Sequence, residues 1–124
     1  GSVMANRILV VDDSATYRSI IAVTLQQAGN DVAVACDGLE GLEVLQGASF
    51  DLFIVDINMP RMGGVEFVCK MREQAHFSDV PVIILAAQDE AEEHAELVSV
   101  KPLYWLEKGF SPAELVAEVN NILS

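Results

Sequence analysis

Residues 8–15 read Ile8-Leu9-Val10-Val11-Asp12-Asp13-Ser14-Ala15. Four apolar residues without a polar interruption suit a strand covered on both faces, since a half-exposed strand would alternate. The carboxylates end the run, and Ser14 can cap a helix over about 15–28. Ile20, Ile21, Val23, Thr24 and Leu25 are expected on its inner face. Gly29-Asn30 stops it, because both residues tolerate a left-handed turn.

The same switch of periodicity recurs along the chain. A strand over 32–35 leads through Asp37-Gly38 into a short helix that carries Leu42 and Leu45 and ends at Gly47. A strand over 52–55 ends at Asp56, and Asn58-Met59-Pro60-Arg61-Met62-Gly63-Gly64 is a loop by composition. A helix is expected over 65–72. Pro81 opens a strand over 82–85, where its missing N–H matters least. A polar helix over about 89–98 and a strand over 103–106 follow. Ser111-Pro112-Ala113-Glu114 is a capping box with proline at the first helical position, and its helix carries Leu115, Val116, Val119 and Ile122.

Five strand–helix repeats imply an α/β domain: a five-stranded parallel sheet, doubly wound, with helices on both faces. All strand ends then share one edge, and Asp12, Asp13, Asp56, Ala86 and Lys108 follow those ends. In such sheets the ligand site forms there, at the topological switch point. Close carboxylates repel and hold protons unless a cation offsets them. Lys108 and one divalent ion cancel the formal charge of Asp12, Asp13 and Asp56. A hard ion such as Mg²⁺, which takes oxygen ligands, suits the set. Helix capping or turn opening explains each carboxylate singly, but not all of them opposite a lysine.

The chain has 124 residues, 52% hydrophobic and 21% charged, enough to bury a core without staples. Nineteen acidic against seven basic side chains leave a formal charge of −12, which excludes direct binding to nucleic acid or an anionic membrane surface. Cys36 and Cys69 form no zinc pattern and are expected as two buried thiols in a reducing cytoplasm. No apolar run approaches the ~20 residues of a transmembrane helix. Residues 1–3 read as a tag remnant, with the native start at Met4 and one domain over 4–124. His76 and His94 lie in polar surroundings and read as surface residues. No glycine-rich phosphate loop is present.

Val10-Val11-Asp12-Asp13-Ser14 resembles the opening of response-regulator receiver domains. Asp56-Ile57-Asn58-Met59-Pro60-Arg61-Met62-Gly63-Gly64 resembles their phosphoacceptor strand and loop. Pro81-Val82-Ile83-Ile84-Leu85-Ala86-Ala87 and Lys108-Gly109-Phe110-Ser111 resemble their fourth and fifth strand ends. The resemblance spans Arg7 to Leu123 and is nearest in appearance to the single-domain chemotaxis branch.

The resemblance implies a flavodoxin-like, CheY-like sheet of strand order 2-1-3-4-5. It implies that Asp56 is the phosphoacceptor, forming an aspartyl phosphate. Asp13, Asp56 and the backbone carbonyl of Asn58 would hold Mg²⁺, with Asp12 acting mainly through water. Lys108 would pair with the phosphoryl oxygens. Ala86 falls at the Thr/Ser switch position, and Trp105 at the aromatic position that reports phosphorylation. No organic cofactor is implied.

The implied partners are a histidine kinase or histidine phosphotransfer protein, and a downstream effector protein or fused output domain. The signalling face would comprise the fourth helix, fifth strand and fifth helix. A homodimer is left open. The expected role is a cytoplasmic signalling domain, not an enzyme beyond self-catalysed phosphorylation and dephosphorylation. The alternative is a degenerate receiver, a binding module independent of phosphate. An aspartate-nucleophile phosphatase would need an acid/base Asp where Asn58 stands.

Lys101-Pro102 imitates the family's lysine motif more closely than Lys108-Gly109. Spacing favours Lys108, because the interval from Ala86 to Lys101 is too short for a helix and a strand. Two departures stand out. Ala86 lacks the hydroxyl that would bond the phosphoryl group. Gly109 replaces a proline whose peptide is usually cis, so a trans bond and some displacement of Lys108 are expected. Lys101-Pro102 replaces the Gly-Ala of the family pattern and should alter the output face.

Overall fold

A computed structural model describes residues 5–87 and 101–124. Five strands, β1 (Arg7–Val11), β2 (Asp31–Ala35), β3 (Leu52–Asp56), β4 (Val82–Ala86) and β5 (Leu103–Glu107), pair in parallel in the order β2-β1-β3-β4-β5. The helices among the described residues are α1 (Ala15–Gln27), α2 (Gly38–Val44), α3 (Gly64–Arg72) and α4 (Pro112–Leu123), with a 3₁₀ turn at Ala75–Phe77. The expected helix over 89–98, and His94 with it, lies outside the described residues.

The unbroken apolar runs follow from burial on both faces. Alternate residues of β1, β3 and β4 point to opposite sides of the sheet. Leu9, Val11, Phe53, Val55, Val82 and Ile84 pack with Phe67 and Met71 of α3. Ile8, Val10, Leu52, Ile54, Ile83 and Leu85 pack with Ile21 and Leu25 of α1 and Leu115 and Val119 of α4. Ser14 Oγ accepts from the Tyr17 N–H, and the Ser111–Glu114 capping box is complete in both directions.

Two expectations need correcting. Only Ile21 and Leu25 of α1 are buried, whereas Ile20 and Val23 are 47% and 50% exposed. A helix lying on a sheet buries only one stripe, and Ile20 and Val23 lie together on the face turned away from the Ile21–Leu25 line. The cysteines are not both buried: Cys36 is half-buried at the end of edge strand β2, and Cys69 is exposed on α3. The Lys108–Gly109 bond is trans, and the Lys108 N–H still donates to the Ala86 carbonyl at 2.9 Å. Gly109 turns the chain at φ 99°, a conformation that suits glycine and lets the ladder run to its end without proline.

Candidate functional site

β1, β3 and β5 deliver four charged side chains to one edge of the sheet. Asp12 and Asp56 are buried, and Asp13 is exposed beside them. One carboxylate oxygen from each lies within 4.8 Å of the others. Lys108 Nζ stands 2.8 Å from Asp56 Oδ1, an ion pair rather than an aligned hydrogen bond. Lys101 precedes β5 by two residues, exposed at the opposite end of that strand, so Lys108 is the lysine of this site.

Local geometry fixes the carboxylates. Asp12 Oδ1 accepts the Ser14 N–H at 2.8 Å, and Arg18 Nη1 donates to the Asp12 carbonyl at 2.7 Å. Asp56 ends β3, and the Ile57 N–H donates to the Leu85 carbonyl at 3.1 Å. The chain then turns so tightly that a Cβ on Gly64 would overlap the Asp56 carbonyl oxygen and lie 3.0 Å from Ile57 Cα. Glycine at 64 is therefore what lets α3 start directly beneath the site.

Electrostatics follows from burial. Asp56 is pushed up to about 6, by desolvation first and by the Asp12 charge, with Lys108 opposing. Burial likewise raises Asp12, against the Ser14 N–H and Lys108, which lower it. Burial works against the Lys108 ammonium, but Asp56 and then Asp12 outweigh it and hold its pKa above the usual value. Asp12 Oδ2 is buried without a hydrogen-bond donor, whereas Asp56 Oδ1 already meets the Lys108 ammonium. Orphaned buried oxygens carry a desolvation cost unless a cation meets them, so the cluster fits an oxygen-ligated divalent ion.

Ala86 is buried at the end of β4, one residue beyond Leu85, the register partner of Asp56. Trp105 lies opposite Ile84, half-buried against the core on the α3 side of the sheet, and not in the carboxylate cluster.

Sequence reasoning missed two groups around this site. Arg61 Nε donates to Asp37 Oδ2 at 2.6 Å, and the Gly38 N–H donates to the Met62 carbonyl at 3.0 Å. Together they tie the loop after β3 to the start of α2, and Arg61 holds the buried Asp37 carboxyl below the usual range. Tyr17 also faces Lys108, with its ring centroid 5.3 Å from Nζ. Neither contact has a linear signal, since each pairs residues far apart in sequence.

A family model described as the response regulator receiver domain matches residues 8–120. The chain is 36% identical over 118 residues to the sensor histidine kinase TmoS of Ectopseudomonas mendocina, covering 95% of this chain and 12% of that protein. It is 33% identical to the alkaline phosphatase synthesis transcriptional regulatory protein PhoP of Bacillus subtilis (strain 168), covering 97% and 49%. The chain thus spans half or less of the length of these curated relatives. Among solved structures, the chemotaxis response regulator CheY4 of Vibrio cholerae is 38% identical with a TM-score of 0.91, covering 97% of this chain and all of that one.

Proposed function

The chain belongs to the response regulator receiver family, and from that premise we propose that Asp56 takes up the phosphoryl group. The observation that carries this is the buried Asp56 carboxylate, paired with Lys108 and flanked by Asp12 and Asp13 at the end of β3. A receiver domain is a phosphoacceptor in two-component signalling. The donor we assign is the phosphohistidine of a kinase or phosphotransfer protein. One Asp56 oxygen attacks phosphorus as the bond from phosphorus to the imidazole nitrogen breaks. The product is a mixed anhydride on Asp56 and a free histidine.

Lys108 keeps a positive charge where phosphoryl oxygens would arrive. The Gly64 turn and the β3–β4 ladder hold Asp56 in place, so little reorganisation is required of the protein. Asp13, Asp56 and the Asn58 carbonyl would hold Mg²⁺, with Asp12 acting mainly through water. The ion would supply charge neutralisation for phosphoryl transfer. We assign the domain to the cytoplasm, with an effector or fused output domain as its downstream partner. Its only chemistry would be its own phosphorylation and dephosphorylation.

A second reading rests on Ala86. Without a hydroxyl there, the domain would bind its partner regardless of phosphate. One experiment separates the two: incubation with acetyl phosphate and Mg²⁺, then intact mass and amide exchange. One added phosphate in the wild type and none in Asp56→Asn supports the first reading. Added mass in the wild type with no change in amide exchange over β4 and β5 supports the second, and no added mass removes the first. Labelling at Asp12 or Asp13 in Asp56→Asn would overturn the assignment of the acceptor.

A further inference from the structure

We propose that Tyr17, backed by Phe110, is a positioning residue that seats Lys108 on Asp56; this rests on the phosphoacceptor reading above. A lysine ammonium rides on a flexible four-carbon stem, so a fixed position needs contacts from more than one side. Asp56 supplies one of them, at 2.8 Å from Nζ. Tyr17 supplies another. Its ring centroid lies 5.3 Å from Lys108 Nζ, within the range in which an aromatic face attracts an ammonium.

Tyr17 is itself held at its backbone and at its ring. The Tyr17 N–H donates to Ser14 Oγ at 3.2 Å, in the turn whose Ser14 N–H binds Asp12 Oδ1. On its other side Tyr17 meets Phe110 at 6.1 Å between centroids, with the rings tilted by 53°. Both rings pack on the α1–α4 side of the core with Leu106. The first turn of α1 and the segment after β5 are thus joined beside Lys108.

Two readouts test this on Tyr17→Leu, Tyr17→Phe and Phe110→Leu. One is the rate of reductive methylation of Lys108 relative to exposed Lys101, read by peptide mass without any phosphodonor. The other is the rate of phosphate uptake from acetyl phosphate at saturating Mg²⁺. Tyr17→Leu should methylate Lys108 about three- to tenfold faster and take phosphate slower by a similar factor, the range of an ammonium–aromatic contact. Tyr17→Phe keeps the ring and should stay within about twofold of wild type. Phe110→Leu should fall between them, and it tests the same seat should Tyr17→Leu fail to fold. Wild-type methylation of Lys108 in both leucine variants would overturn the proposal, as would Tyr17→Phe behaving like Tyr17→Leu. Absence of phosphate uptake in every protein, wild type included, would instead sink the phosphoacceptor reading, with methylation still deciding the role of Tyr17.

Discussion

Lowering the pH should release Mg²⁺ well above the range in which ordinary carboxylates titrate. A carboxylate must be ionised to bind the metal, so the protonated fraction of Asp56 weakens apparent affinity directly. With Asp56 near 6, about one molecule in ten is ionised at pH 5. Apparent affinity at pH 5 should then fall roughly elevenfold below its value at pH 8, and about twofold at pH 6. A carboxyl at the ordinary value near 3.8 would change affinity by only about 6% over the same span. The assay is a Mg²⁺ titration at pH 5, 6, 7 and 8, followed by calorimetry or by the fluorescence of Trp105, the sole tryptophan. Equal affinity at pH 5 and 8 would refute the reasoning.

Stability of the metal-free protein should move the other way. The folded carboxyl binds its proton more tightly than the unfolded one, so its contribution is fully present below about 3.8 and is lost as pH rises through about 6. Asp56→Asn removes that loss and should stabilise the metal-free protein at pH 8, by at most about 3 kcal/mol.

Three further outcomes are expected. Gly64→Ala should lower stability by about 1–3 kcal/mol, toward the upper end because the opposing atom is the Asp56 backbone oxygen; an unchanged urea midpoint would contradict the tight turn. Arg61→Ala should free the loop after β3, read as faster amide exchange at Gly38, whose N–H is bound to Met62; unchanged protection would show that Arg61 is not a tie. Ala86→Thr should enlarge the response to phosphate by roughly ten- to a hundredfold in the equilibrium constant. Amide exchange over β4 and β5 in both phosphorylation states measures it, and a full two-state change already present in the wild type would refute it.

Strand ends were legible because burial on both faces leaves a composition that nothing else in the chain shares. Wherever Ile8–Val11 or Val82–Leu85 stops, the next residue is at the sheet edge, and the site follows from topology. Helix faces were less legible. Ile20 and Val23 are as apolar as Ile21, yet α1 presents only the Ile21–Leu25 line of side chains to the core.

The contacts that set site geometry were not legible at all. Arg61 reaches Asp37 across 24 residues, and Tyr17 reaches Lys108 from the far end of the chain. This bears on how a departure from a family pattern is read. Gly109 suggested a loosened Lys108, because a missing proline is visible in sequence while a compensating ring is not. The Lys108 N–H to Ala86 bond and the Tyr17 face both remain, and Lys108 keeps its 2.8 Å contact with Asp56. Ala86 is a different case. A hydroxyl that would follow a phosphoryl group must be a movable donor, and the buried alanine methyl at 86 cannot become one. On the proposed function the two departures bear on separate steps: Gly109 leaves the Lys108–Asp56 contact in place for acceptance, while Ala86 is expected to lower the differential affinity through which phosphate could shift the fold.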